Sequence, residues 1–238
     1  MSTPVVRLAM HSMFGRTRAL LLYALPVLLV VLALLVRSLG GDESPDRAES
    51  LLFIYGLGIV VPVVALLATT TLINSELDDG SILYLLTKPL SRVSIVASKV
   101  VVVLLAVLTC GALPLGVAGY VMVGTADHVA LAGLAGGAVA GVAYTGIFTA
   151  LMTVLQRSVI AALLYWLVLE STLASLLGPA RWLSARSWGS AVLESVSTVS
   201  AGKPDVPVWY ALLAAPVALV AGVLLAARRL STMTLSDE

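Results

Sequence analysis

The sequence predicts an all-α polytopic membrane protein with six transmembrane helices. Three observations carry this. Apolar residues make up 60% of the 238 residues and charged residues only 11%, well under the roughly 25% charged residues of an ordinary globular domain. The mean hydropathy is +1.05. The apolar residues also gather into separate runs, each near the length of about 20 helical residues needed to cross hydrocarbon. Most of the chain lies in these runs, so residues 1–238 read as one membrane domain.

The elements follow in order. Pro4 to Arg18 is amphipathic: Val6, Met10, Met13 and Phe14 share a helical face, with Arg7, His11, Arg16 and Arg18 elsewhere. Such a helix lies in the headgroup plane with its basic residues toward anionic lipid; a charged lead-in to the first span is the alternative. The apolar stretch that follows is too long for a signal peptide and lacks a clean small-residue cleavage site. Ala19 to Val36, about 27 Å at 1.5 Å per residue, is the first span. Its Pro26 is tolerable inside a bundle. Arg37 to Ser50 reads as an acidic loop with Asp42, Glu43, Asp46 and Glu49. The second span covers 51–73 and the third 100–123; the short loop Gly124 to His128 leads to the fourth, 129–155.

In the fourth span Gly133, Gly137 and Gly141 recur every fourth residue, followed by Thr145. That face lets another helix approach closely, as a sliding or dimer surface or as static packing within one subunit. The fifth span covers 159–177 and the sixth 208–227. Between them, Trp188, Val192, Val196 and Val199 form an apolar stripe, with Ser190, Glu194 and Ser197 off it. This predicts a helix lying at the outer interface, with Trp182, Trp188 and Trp209 as belt aromatics.

Basic residues set the orientation. With both termini inside, the inner set is Arg7, Arg16, Arg18, Lys88, Arg92, Lys99, Arg157, Arg228 and Arg229, and the outer set is Arg37, Arg47, Arg181, Arg186 and Lys203. The excess lies on the inner side, as the positive-inside rule requires. The net charge of +1 gives no reason to expect nucleic acid. A single cysteine, Cys110, excludes an internal disulfide. The two histidines, His11 and His128, fall on opposite sides, so no metal site is expected. The chain has no phosphate-cradling G-x-x-x-x-G-K-[ST] motif and no H-E-x-x-H or G-x-S-x-G. It is therefore expected to be non-catalytic.

The polar stretch from Asn74 to Lys99 organises the rest. Ser75 to Asp78 is an S-x-x-D helix start. Glu76, Asp78 and Asp79 place negative charge in a first turn, where the helix dipole favours it. Gly80 is a break, Ile82, Leu83, Leu85 and Leu86 form an apolar cluster, and Pro89 stops the helix. Ser91 is placed to cap a fresh helix running through Lys99 into the membrane.

The run Glu76, Gly80, Leu85-Leu86, Pro89, Ser91-Arg92 and Lys99 resembles the first cytoplasmic loop of type-2 ATP-binding-cassette permeases of the exporter-like kind. Every position of that loop pattern is filled, between the second and third spans where the family has it. The resemblance implies a coupling helix, made here by Glu76, Asp78, Asp79, Gly80, Leu83, Leu86, Pro89, Arg92 and Lys99, that docks on a separate ATPase. The residue-level alternative is an ordinary juxtamembrane loop whose cations merely obey the positive-inside rule.

The resemblance further implies a permease subunit of an exporter in the plasma membrane, paired as a homodimer and joined by two ATPase subunits that bind ATP and Mg. This chain itself would hold no cofactor and contact membrane lipids. A membrane scaffold or energy-independent channel docking a non-ATPase protein is the competing class.

One ionisable residue falls deep in an apolar span. Glu170 lies about 18 Å along the helix from Ser158, with Trp166 one turn before it. In the resembled family the second and fifth spans line the central path, which would place Glu170 and Trp166 on it and suit a hydrophobic, lipid-like or cationic substrate. An intramembrane carboxylate is costly and faces either a cavity or a partner helix, so the alternative is a glutamic acid that fixes helix packing.

Overall fold

A computed structural model describes residues 16–40, 44–71, 92–155, 158–173, 176–199 and 204–232. Every element among them is helical. We number the helices α1 (Arg16–Gly40), α2 (Pro45–Thr69), α3 (residues 92–123), α4 (Val129–Val154), α5 (residues 158–173), α6 (Ala185–Val196) and α7 (Val208–Thr232). Short 3-10 turns, Ala126–His128 and Gly178–Leu183, precede α4 and α6. Five helices, α1, α2, α3, α4 and α7, are long and apolar enough to cross a membrane. The fifth predicted span, α5, is a shorter apolar helix. The expected amphipathic helix at 4–18 lies almost wholly outside the described residues, as does the loop from Asn74 to Ser91.

α4 is the hub. It packs against α7, α6, α3 and α2. Its glycines explain how so many neighbours fit, because between them they face α2, α3, α6 and α7. A Cβ on Gly137 would lie 3.0 Å from Ala112 Cα of α3, and one on Gly141 would lie 2.8 Å from Val107 Cγ1. Gly133 faces Leu115 of α3 and Leu52 of α2. Gly136 meets Gly189 of α6, and Gly146 meets Ala218, Leu219 and Gly222 of α7. The small-residue face thus lies against α3 inside one subunit. In lipid, where apolar side chains gain little by leaving one apolar phase for another, such close backbone packing is a principal source of helix association. α1 and α7 are peripheral: only 22% and 28% of their apolar windows are buried, against 56–61% for α2, α3 and α4.

Two helices widen just before a proline. In α2 the turn is π-helical over Leu52–Val60, and the Val61 N–H reaches Gly56 O, five residues back. In α3 the same occurs over Leu108–Ala112, where the Leu113 N–H bonds Leu108 O. Pro62 and Pro114 follow, each lacking an N–H and crowding the preceding turn. Local widening is a recognised way to seat such a residue. Hydroxyls find backbone partners too: Thr69, Thr70 and Thr71 each donate to the carbonyl four residues back, at 2.6–2.7 Å.

The end of α1, the start of α2, residues 123–129 and residues 197–199 share one end of the bundle. Arg37 Nη1 donates to Val121 O at 2.5 Å, tying the end of α1 to the last turn of α3 and satisfying a carbonyl there. α3 stops at Gly124, whose φ of +63° favours glycine. Asp127 and His128 also take positive φ, and α4 starts directly after them.

The structure departs from the sequence reading in four places. The expected acidic loop 37–50 is mostly helix. α1 continues through Gly40, and α2 begins at Pro45, whose ring presets φ at a first helical position, with Asp46 in the first turn. α3 begins at Arg92, where the helix expected after Ser91 should start, but its burial sets in before the expected span at 100, with Val96, Ser98 and Lys99 already buried. The third departure is α5, whose turns over Tyr165–Leu173 are π-helical rather than regular. The fourth is α6. It carries the stripe residues Trp188 and Val192 as expected, but it is wedged into the bundle instead of resting on it. Trp188, Ser190 and Ser197 are all buried, because Gly189 lets α6 sit directly on α4 at Gly136 and Ala140. Of the three expected belt tryptophans, only Trp182 and Trp209 are exposed.

Candidate functional site

Five elements bring polar groups together in the middle of the bundle. α5 supplies Trp166, Tyr165 and Glu170, α4 supplies Tyr144, α2 supplies backbone carbonyls, and the Gly178–Leu183 turn and the start of α6 complete the set. Trp166 Nε1 donates to Gly58 O at 2.9 Å. The position is informative. Gly58 lies in the π-helical turns just before Pro62, where the regular i→i−4 ladder is interrupted. Buried carbonyls need donors, and the indole is one here.

Glu170 is 3% exposed. Its Oε2 accepts a hydrogen bond from the Tyr144 hydroxyl. Its Oε1 accepts from the Ala185 N–H at 2.8 Å and the Arg186 N–H at 3.3 Å. The Tyr165 hydroxyl lies 3.1 Å from both Glu170 Oε1 and Leu183 O, with one proton to give. Tyr144, Phe148 and Tyr165 stack around the carboxylate, with ring centroids 5.4 and 6.2 Å apart. Arg186 turns away from Glu170: its guanidinium sits 4.4 Å over the Phe53 ring and Nη2 donates to Phe53 O at 3.3 Å.

A second polar region lies at the end that carries Asp127. Ser197 Oγ donates to Glu49 Oε2 at 3.3 Å, and Thr198 bonds Asp127 through both its N–H and its hydroxyl, at 3.1 and 3.0 Å. A cavity of about 270 Å³ opens there, lined by Asp46, Glu49, Ser50, Phe53, Leu193 and Glu194. Burial pushes the Glu194 carboxyl above the usual carboxylate range, and Asp205 and then Glu49 push it further. No group of three or more metal-ligating side chains occurs among the described residues.

The predicted residues fall into three sets. Glu170 and Trp166 meet in one mid-bundle cluster; Gly133, Gly137 and Gly141 line the α3–α4 contact. Glu76, Asp78, Asp79, Gly80, Leu83, Leu86 and Pro89 lie outside the described residues, so only Arg92, the first residue of α3, and Lys99, 6% exposed, have a described position. Sequence reasoning missed Tyr144, Tyr165 and the amides of Ala185 and Arg186. A signal for Gly58 existed in Pro62 four residues on; none existed for the amides, because every residue carries one.

A bundle of long apolar helices with its polar groups turned inward defines a multi-pass membrane protein. The sequence profile of the ABC-2 family transporter proteins matches residues 16–178, more than half of the chain, and the chain belongs to that family. No curated protein matches it.

Proposed function

We propose that this chain is the transmembrane permease subunit of an ABC transporter, an exporter driven by a separate ATPase subunit. The observation that carries the reading is the family match over residues 16–178, from α1 to the end of the fifth predicted span. It is supported by the loop between α2 and α3, whose residues from Glu76 to Lys99 fill the family's coupling pattern. In this reading two copies of the chain join two ATPases in the plasma membrane, with both termini and the loop cytoplasmic. ATP and Mg bind the partner. Six helices cross the bilayer, α5 being the shortest. Closure of the ATPases pushes the loop, whose cluster Leu83 to Leu86 fills a pocket on the partner while charges at its rim fix the register.

A hydrophobic, lipid-like or cationic substrate suits the apolar helices. A path-lining role for Glu170 and Trp166 has less support than a packing role, since both side chains are engaged by groups of their own subunit.

The test is reconstitution with the cognate ATPase. Glu76→Lys and Arg92→Glu should each weaken association with the ATPase, or ATP-driven transport, by about tenfold or more, the scale of losing a charge at a docked interface. Insertion and thermal stability of the permease alone should be unchanged. Wild-type association and transport in both variants would reduce the loop to a juxtamembrane connection.

A further inference from the structure

α6 begins where a helix start is hardest to accommodate. Ser184 and Ala185 are both 0% exposed, and the first amides of any helix have no partner within it. In a bundle interior without water those N–H groups need partners from elsewhere. The structure provides one for each. Ala185 and Arg186 donate to Glu170 Oε1 at 2.8 and 3.3 Å. Ser187 donates to Ser184 Oγ at 3.2 Å, and Ser184 itself to Arg181 O at 3.2 Å. Ser184 is thus the local cap, but it covers only part of the need. The remainder falls to a carboxylate fifteen and sixteen residues earlier in the chain, on a different helix.

We infer that Glu170 is a long-range N-terminal cap for α6, and that this cap joins α5 and α6 into a single lever reaching from mid-bundle to the Asp127 end. A carboxyl group suits the task, because one of its oxygens can accept from both amides while the other meets Tyr144. Tyr144 holds the other oxygen, which orients Oε1 toward the amides. The far end of the lever is fixed as well, by Ser197 on Glu49 and Thr198 on Asp127. Between these points α6 has little room to bend toward α4: a Cβ on Gly189 would lie 2.8 Å from both Gly136 O and Ala140 Cβ. A shift of α5 at Glu170 is therefore delivered to the Glu49 and Asp127 contacts. None of this depends on the permease reading.

Two conservative substitutions separate a cap from a charge that lines a path. Glu170→Gln removes the charge and keeps an acceptor oxygen at the same reach; Glu170→Asp keeps the charge and withdraws the oxygens by one methylene. Hydrogen–deuterium exchange of the full chain in lipid nanodiscs, read on peptides covering residues 183–189 and 195–200, reports the amides directly. Glu170→Asp should speed exchange at Ala185 and Arg186 about tenfold, the scale of one lost hydrogen bond, and should also speed it at Thr198. Glu170→Gln should leave both near wild type. Asp127→Ala should loosen Thr198 and not Ala185. Unchanged exchange at Ala185 and Arg186 in Glu170→Asp, or a larger effect from Gln than from Asp, overturns the cap. Faster exchange at Ala185 with Thr198 unmoved overturns the lever.

Discussion

Adding one methyl group at Gly146 should loosen α7 from the hub. A Cβ built there would lie 2.5 Å from Ala218 C, Ala218 O and Leu219 Cα. All three are backbone atoms, so no side chain can rotate away. Optimal carbon contacts lie near 3.5–4.0 Å, so the two helices must part by about 1 Å at the crossing, enough to forfeit a quarter to a half of each contact's attraction. Overpacking of this kind costs about 1–3 kcal/mol, offset in part by the better helix propensity of alanine, about 1 kcal/mol at most. The control is Gly111→Ala, where the nearest atom to the new Cβ is Val107 Cγ1 at 3.6 Å. There the methyl fits and only the propensity gain remains. For a chain of this size each kcal/mol moves the melting temperature by about 2–4 °C. Thermal unfolding in detergent, followed by tryptophan fluorescence, should therefore show Gly146→Ala several degrees below wild type and Gly111→Ala at or above it. A Gly146→Ala protein as stable as Gly111→Ala would refute the claim that α4 organises the bundle through glycine contacts.

Two further outcomes are expected. Cysteines placed at Ser81 and Ser236 should be protected from impermeant reagents in intact cells, while Ser195→Cys, on the exposed face of α6, should label. Ser190 is unsuitable because it is buried, and the native Cys110, also buried, leaves a low background; labelling at Ser81 from outside would reverse the assigned topology. Glu194 supplies a pH test. Its folded-state carboxyl lies above the usual range through burial, Asp205 and Glu49, so the fold prefers it protonated. That preference stabilises fully below the unfolded value and is lost as pH rises through the folded one. Glu194→Gln should raise stability at neutral pH and flatten the gain that wild type shows on acidification; an identical pH profile for the variant would remove Glu194 as the titrating group.

The helices were legible because hydrocarbon imposes a simple rule. A long run with few charges has nowhere else to go, so α4 at Val129–Val154 falls within a residue of its expected bounds of 129–155. Ends were less legible where a polar residue has a partner distant in sequence. Glu49 read as loop because it is acidic, yet it is 9% exposed and accepts from Ser197. α6 read as interfacial from its stripe, and its burial turns on Gly189 meeting Gly136, a pairing between separate helices that no local pattern announces. Glu170 was visible as an unusual carboxylate. What it meets was not, since two of its donors are backbone amides of α6.

The mid-bundle cluster argues for a particular way of weighing polar residues inside a membrane. Trp166 and Glu170 are the polar side chains that first suggest a transport path. Yet each answers a backbone group left without a partner by a nearby break in a helix. Trp166 donates to a carbonyl in the widened turns before Pro62, and Glu170 takes the amides at the start of α6. Such groups must be satisfied before any side chain is available to a ligand, because hydrocarbon offers no donor or acceptor to substitute. The acidic cavity at the other polar region is different in kind. Asp46 and Ser50 are exposed there, and burial, Asp205 and Glu49 push the Glu194 carboxyl upward. Of the two regions, the deeper one is fixed by the backbone's needs, and the Asp127 end is where charge can still respond to its surroundings.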